Sequence, residues 1–174
     1  MEFPFPVLGI AAHSGSGKTT LLEQVIPLLR RAGVRPAVVK HSHHDFEMDR
    51  PGKDSDRLRR AGAGQVLIAS PWRTAWIREG DGRTEPRLDE LLSRLDAAVL
   101  DLALVEGFRH EPIPKIEVHR PDLGTPLLCG NDPRILAVAC DRAPDPAPSV
   151  PLLDLNRPAA VADWIIEWLA SVRK

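Results

Sequence analysis

The chain has 174 residues, a length that suits one domain, and its hydrophobic and charged fractions of 43% and 27% are ordinary for a globular protein. With a net charge of −1 it has no overall field that would attract nucleic acid or an anionic membrane, so neither is an expected partner. Two cysteines are too few for a disulfide framework, and the N-terminal segment lacks the basic start of a secretory signal, so we expect a cytoplasmic protein.

Short apolar runs alternate with helical patterns along the chain. The predicted strands of the main sheet are residues 7–12, 36–40, 101–105, 115–119 and 135–139. The predicted helices are residues 18–31, 54–62, 87–95 and 161–172. Pro27 lies inside the first helical pattern and is expected to kink that helix or shift its face. The alternation predicts an α/β fold in which a mostly parallel sheet is flanked by helices.

A β-hairpin extension is predicted at about residues 65–80. Residues 65–69 and 74–78 have strand composition and flank a short turn. Trp72 and Trp76 would leave an apolar edge there, and an exposed edge invites pairing with another chain. A homodimer formed partly through the hairpin is therefore a hypothesis. The chain as a whole, 1–174, is expected to be one domain.

The strongest functional signal is a glycine-rich turn between the first strand and the first helix. Glycines at this point let unpaired backbone N–H groups converge on a phosphate at the positively polarised start of a helix. A lysine then reaches the β- and γ-phosphates, and a hydroxyl binds Mg²⁺. This is the P-loop of nucleotide-binding proteins, although Ala12 stands where the full pattern has glycine. The predicted phosphate-binding residues are Ser14, Gly15, Ser16, Gly17, Lys18, Thr19 and Thr20.

A second anchor for Mg²⁺ is expected at the end of a neighbouring buried strand. Glu106 follows the apolar run 101–105 and is the predicted carboxylate ligand, together with the Thr19 hydroxyl. Gly107 behind it would let the backbone approach the γ-phosphate. Asp101, at the other end of the strand, is expected to point away from the site.

Two alternatives remain open for other polar segments. The first concerns four residues, namely His41, His43, His44 and Asp45. They could form a transition-metal site of the kind that would suit a metal-delivery GTPase, although a loop at the phosphate edge is favoured for them. The second is a small-molecule kinase with a basic lid over the transferred phosphate. The candidate lid residues are Arg57, Arg59 and Arg60.

Taken together, the motifs resemble the family of molybdopterin-guanine dinucleotide biosynthesis protein B (MobB). The matching segments occur in the family's order at residues 14–20, 40–45, 51–55, 60–62, 105–108 and 115–117. The resemblance covers nearly the whole chain. It implies a P-loop protein that binds GTP and Mg²⁺, is usually a dimer and has weak GTPase activity. It also implies an adapter role toward molybdenum cofactor guanylyltransferase and related maturation proteins, in the attachment of GMP to molybdopterin.

The base-reading and catalytic residues are less well specified. The chain lacks the Asn-Lys-x-Asp string with which GTPases commonly read guanine, so the preference for GTP over ATP follows from the resemblance alone. Asp141, just after the strand 135–139, is placed where a base-reading carboxylate could lie, and a solvated turn is the alternative. Hydrolysis is expected to be slow because no obvious glutamine or arginine finger follows Gly107, with Arg109 the nearest candidate.

Overall fold

The computed structural model describes residues 3–42, 46–48 and 50–173. They form two compact units, one made of residues up to 41 and from 87 onward, the other of residues between 42 and 86. The histidines at 43 and 44 and the aspartate at 45, which carried the metal-site hypothesis, lie outside the described residues. None of the described helices combines the length and the apolar content that crossing a bilayer requires.

Strands and helices alternate along the chain. The strands are β1 Val7–Ala11, β2 Pro36–Lys40, β3 Gln65–Ala69, β4 Thr74–Arg78, β5 Leu102–Glu106, β6 Lys115–His119, β7 Ile135–Cys140 and β8 Leu152–Asp154. The α-helices are α1 Lys18–Arg31, α2 Asp54–Arg60, α3 Leu88–Leu92 and α4 Pro158–Val172. Short 3₁₀ turns cover Ala97–Val99 and Pro121–Leu123.

The larger unit is built on a six-stranded sheet with the order β2-β5-β1-β6-β7-β8, in which every pairing is parallel. The prediction of a mostly parallel sheet flanked by helices is therefore confirmed. Parallel strands bring their carboxyl ends to one edge. The register fixes which residues meet at that edge, since Glu106 lies opposite both Ile10 of β1 and Lys40 of β2.

Apolar side chains cover both faces of this sheet. On one face, α1 and α4 pack on residues such as Leu8 and Leu104, with Leu29 and Ile165 fully buried between the layers. On the other face, the N-terminal segment and α3 pack around Val105. Each such leucine or isoleucine stabilises the fold by roughly 1.5–3 kcal/mol through burial.

The first helix follows its prediction closely. It runs from Lys18 to Arg31 across Pro27 without a break, and Pro27 lies on its exposed side. Gly33 follows the C-cap residue with a φ of +82°, which suits glycine, and the N–H of Val34 donates to the carbonyl of Leu29 at 3.0 Å. This turn leads the chain from α1 into β2.

Polar residues on β6 are buried, and the segment between β6 and β7 supplies the partners of Lys115 and Glu117. Lys115, Glu117 and His119 are only 1–5% exposed. The Lys115 ammonium donates to Asp132 at 2.8 Å, and Glu117 accepts backbone N–H groups from Leu128 and Cys129 at 2.8 and 2.9 Å. The alternation at 115–119 thus reflects buried charges that hold the crossover segment leading to β7.

Several element boundaries differ from the predictions. The helix predicted at 87–95 is only Leu88–Leu92, and β5 extends to include Glu106 as its last residue. The strand Leu152–Asp154 was not predicted, since it is short and two of its residues are exposed. Val172, expected on the apolar stripe of the last helix, is 48% exposed at its end.

The smaller unit contains α2 and the predicted hairpin. The strands β3 and β4 pair antiparallel, with Gln65 opposite Arg78 and Ala69 opposite Thr74. At the start of α2, Asp56 is 3% exposed and accepts the N–H of Gly52 at 2.8 Å. This bond, followed by the Arg60 guanidinium, lowers the pKa of Asp56. The carboxylate therefore joins the turn at residues 51–53 to the helix.

Candidate functional site

The glycine-rich turn has the backbone that the phosphate-loop prediction requires. Gly15 and Gly17 have φ values of +79° and +89°, which L side chains rarely adopt. Gly17 caps the N-terminus of α1, and its carbonyl accepts the N–H of Leu21 at 2.9 Å. Ser16 is 2% exposed, and its hydroxyl donates to the His13 carbonyl at 2.9 Å. The loop therefore curls at the start of a long helix, where backbone N–H groups attract anions.

The Lys18 side chain lies along the same loop. Its ammonium donates to the His13 carbonyl at 3.2 Å, the acceptor that also receives the Ser16 hydroxyl. Lys18 is partly exposed, so its four-carbon chain can exchange this carbonyl for a phosphate oxygen.

Thr19, in the first turn of α1, and Glu106, the last residue of β5, lie together at the carboxyl edge of the sheet. The Thr19 hydroxyl donates to Glu106 Oε1 at 3.1 Å, although 87 positions separate the two residues. Glu106 is 7% exposed, and the Lys40 ammonium lies 3.6 Å from its Oε2. Lys40 also donates to the Thr19 hydroxyl at 3.4 Å. A buried carboxylate, a hydroxyl and a neighbouring cation thus form one cluster.

This cluster fits the requirements of Mg²⁺. The ion prefers hard oxygen ligands and is usually held by one or two protein groups in addition to phosphate oxygens. Thr19 and Glu106 supply a hydroxyl and a carboxylate beside the phosphate loop. The Lys40 ammonium against Glu106 shows that the position accepts positive charge.

Gly107 permits a close approach between the ends of β5 and β2. Its φ is +96°, and a Cβ placed on it would lie 2.9 Å from the Cβ and 3.0 Å from the carbonyl oxygen of His41. The His41 N–H donates to the Glu106 carbonyl at 2.9 Å, and the His41 ring stacks on Phe108 with centroids 4.9 Å apart. The approach that the structure shows is therefore to the His41 backbone, directly behind Glu106.

Arg120 is a residue of this edge that the sequence analysis missed. Its Nε donates to the Ser16 carbonyl at 3.2 Å, and its Nη1 donates to Asp141 Oδ2 at 2.5 Å. Asp141, the candidate base-reading carboxylate, is thus paired with an arginine that touches the phosphate loop. The available signal was positional, since Arg120 directly follows β6 at the carboxyl edge of a parallel sheet.

Other predicted residues lie in different surroundings. Ser14 and Thr20 are exposed in and after the loop. Arg109 is exposed and donates to the His110 ring at 3.0 Å. Asp101 lies at the amino end of β5, away from Glu106 as predicted, where bonds from Arg35 hold its pKa well below the usual range.

The residues of the two open alternatives are also placed in part. In the smaller unit, Arg59 and Arg60 are bonded to Asp56, and Arg59 also to Glu79 at 2.6 Å. These guanidinium charges are matched by carboxylates of their own unit. Across the ranges 3–42, 46–48 and 50–173, no group of three or more His, Cys, Asp or Glu side chains is arranged to hold a metal ion.

Comparison with known proteins identifies the family. The sequence model described as molybdopterin guanine dinucleotide synthesis protein B, MobB, matches residues 7–141. The chain belongs to the MobB family. The predicted resemblance is thereby confirmed over most of the larger unit and all of the smaller one.

Relatives and solved structures of the MobB family cover nearly the full length. The molybdopterin-guanine dinucleotide biosynthesis adapter protein of Escherichia coli K12 is 46% identical over 165 residues, covering 94% of this chain and 93% of the relative. The Haemophilus influenzae protein of the same name is 44% identical over 97% of this chain and 92% of the relative. The crystal structure of a molybdopterin-guanine biosynthesis protein B matches with 30% sequence identity and a TM-score of 0.72, and the match covers 94% of this chain and 99% of that one. A MobB homologue from Bacillus stearothermophilus, at 23% identity and a TM-score of 0.71, shares the fold.

Proposed function

We propose that this MobB-family protein is a GTP-binding adapter in the formation of molybdopterin guanine dinucleotide, with slow Mg²⁺-dependent GTPase activity. The observation that carries the proposal is the phosphate loop itself. Gly15 and Gly17 take left-handed conformations immediately before α1, and Lys18 and Thr19 occupy the first turn of that helix. This is the arrangement in which backbone N–H groups and a lysine receive a triphosphate.

The proposed metal is Mg²⁺, held by Thr19 and Glu106. When bound, the ion would neutralise charge on the β- and γ-phosphates. The protein's own contribution is positional. The β1–β5 register sets the Glu106 carboxylate against the Thr19 hydroxyl, and the His41 N–H holds the Glu106 carbonyl from behind.

The adapter role is supported by the names of two relatives, and GTP is proposed as the nucleotide because the dinucleotide in those names contains guanine. The Escherichia coli and Haemophilus influenzae relatives are named as adapters of molybdopterin-guanine dinucleotide biosynthesis, and each covers more than nine-tenths of this chain. A protein that delivers or senses GTP beside a GMP-transferring enzyme needs tight binding more than fast turnover. We accordingly propose molybdenum cofactor guanylyltransferase as the partner.

Slow hydrolysis is proposed from the setting of Arg109, the candidate catalytic arginine. Fast phosphoryl transfer to water requires a positioned water and an added positive charge at the γ-phosphate. Arg109, the nearest arginine after Gly107 in the sequence, is exposed and bonded to His110. An arginine supplied by a partner would be expected to raise the rate, since such a residue is worth a factor of about 10³ or more.

The test is a calorimetric titration with GTP, GDP and ATP, with and without Mg²⁺, repeated with the guanylyltransferase present. We expect GTP to bind most tightly and Mg²⁺ to strengthen its binding. Equal affinity for ATP would refute the assignment of GTP. Absence of a complex with the guanylyltransferase under all nucleotide conditions would refute the adapter role.

A pair of variants tests the site assignment. Lys18→Ala should abolish nucleotide binding, because the ammonium that reaches the phosphates is lost. Arg31→Ala is the matched control, since it removes an exposed cation at the other end of the same helix. Unchanged GTP affinity in Lys18→Ala would contradict the site.

We also propose a homodimer formed through the hairpin. The β3–β4 pair is a two-stranded sheet, which is marginally stable alone. Leu67 of β3 is 68% exposed, and Trp72 in the turn between the strands is 91% exposed. Exposed apolar side chains on a strand edge favour pairing with a second copy. Sedimentation equilibrium should give a dimer mass that Leu67→Lys reduces to the monomer mass. A monomeric wild type at micromolar concentration would rule the dimer out.

A further inference from the structure

We propose that Arg120 is a positioning residue for the phosphate loop, and that Asp141 acts on nucleotide binding through this arginine and not by reading the base. The inference rests on the proposed nucleotide function and assigns a role to two residues of the same site.

The Arg120 guanidinium lies directly on the loop. Its Nε donates to the Ser16 carbonyl at 3.2 Å, and a Cβ on Gly17 would lie 3.7 Å from its Nη2. Ser16 is 2% exposed, so its carbonyl has little access to water as an alternative donor. The contact joins positions 104 residues apart and brings the end of β6 to the residue pair before Lys18.

The peptide between Ser16 and Gly17 explains why this contact matters. A trans peptide is planar, and its C=O and N–H point in opposite directions. A donor that holds the Ser16 carbonyl outward therefore directs the Gly17 N–H to the other side of the plane. A phosphate-binding nest requires that its N–H groups converge on the anion. Arg120 thus stabilises the peptide orientation that binding needs, without itself touching the phosphate.

Asp141 fixes Arg120 in turn. It follows β7, the neighbour of β6, and accepts from Arg120 Nη1 at 2.5 Å. The side chains of Arg120 and Asp141 are 37% and 22% exposed, so the pair is partly shielded from water. A charge-assisted bond in such surroundings is stronger than a fully exposed ion pair. If Asp141 turned to a nucleotide base, Arg120 would lose the carboxylate that orients it.

Five variants and three ligands separate these roles. Arg120→Gln, Asp141→Asn and the double variant are titrated with GTP, ATP and inorganic tripolyphosphate. Arg142→Gln is the matched control, because Arg142 forms an exposed pair with Asp122 at 2.6 Å next to the site. Thermal unfolding of each variant verifies folding.

We expect Arg120→Gln and Asp141→Asn each to weaken binding of all three ligands by about tenfold, the loss expected for one charge-assisted hydrogen bond. The double variant should lose no more than either single variant, and the GTP-to-ATP affinity ratio should stay constant. Arg120→Lys, which keeps the charge, should recover part of the affinity. Arg142→Gln should match the wild type.

The contrary outcomes are distinct. If Asp141→Asn changes the GTP-to-ATP ratio and leaves tripolyphosphate binding unchanged, Asp141 reads the base and the inference is wrong. If Arg120→Gln binds all three ligands as the wild type does, the positioning role is wrong while the proposed function stands. If the wild type binds neither GTP nor tripolyphosphate, the proposed function fails, and the inference fails with it.

Discussion

Gly107→Ala probes how closely the ends of β2 and β5 are joined behind Glu106. The backbone at Gly107 has a φ of +96°, and a non-glycine residue in such a region costs about 1–3 kcal/mol. The new methyl group would lie 2.9 Å from the His41 Cβ and 3.0 Å from its carbonyl oxygen. Forcing these atoms apart adds roughly 1–3 kcal/mol, as in an overpacked core. Taking about 1 kcal/mol for the backbone and about 2 kcal/mol for the contact, the total loss of folding stability is about 3 kcal/mol.

Thermal unfolding measures this loss. In a chain of this size, about 3 kcal/mol lowers the Tm by roughly 6–12 °C. Gly33→Ala is the control, because Gly33 has a φ of +82° but a Cβ there would meet no described atom within 4 Å. The Gly33→Ala variant should lose only the free energy that a left-handed backbone costs a non-glycine residue, about 1 kcal/mol. A Gly107→Ala variant no less stable than Gly33→Ala would refute the close approach to His41.

Three further predictions concern charged groups. Glu106→Gln should remove most of the gain in GTP affinity that Mg²⁺ gives, about tenfold or more, as measured by titration with and without the ion. Lys40→Met removes the cation that lies against Glu106, so less Mg²⁺ should be needed for half-maximal GTP binding. The decrease should be at most about fivefold, because a half-exposed ion pair such as Lys40–Glu106 is worth at most about 1 kcal/mol. Asp101→Asn should destabilise the fold by about 2 kcal/mol in denaturant titrations at neutral pH. Because bonds from Arg35 lower the folded-state pKa of Asp101, its contribution is complete above about pH 4 and is lost as the pH falls toward that lowered value. The stability difference from the wild type should shrink accordingly, and a difference that persisted at low pH would contradict this origin.

The sequence predicts most of the sheet because its strands are continuous apolar runs flanked by turn residues. β1, β5 and β7 are of this kind, and each is almost fully buried. The sequence predicts the surroundings of a strand less well where charged residues are buried. β6 carries Lys115 and Glu117 in the interior, and only the distant partners Asp132 and Leu128 explain how these charges are tolerated.

The residues of the candidate site also differ in how well the sequence predicts them. The phosphate loop is contiguous, so its glycines and Lys18 can be read directly from the sequence. Glu106 could be predicted because parallel strands bring their carboxyl ends to one edge. The same rule places Arg120 at this edge, but its role could not be predicted, since its partners Ser16 and Asp141 depend on the register of β6 between β1 and β7.

The most direct test of nucleotide binding is a crystal structure with Mg²⁺ and a non-hydrolysable GTP analogue. We predict that the β-phosphate lies among the backbone N–H groups of residues 15–19, with Lys18 on the phosphates and Mg²⁺ beside Thr19 and Glu106. A triphosphate bound elsewhere, or a loop at 14–19 left empty at saturating nucleotide, would contradict the account.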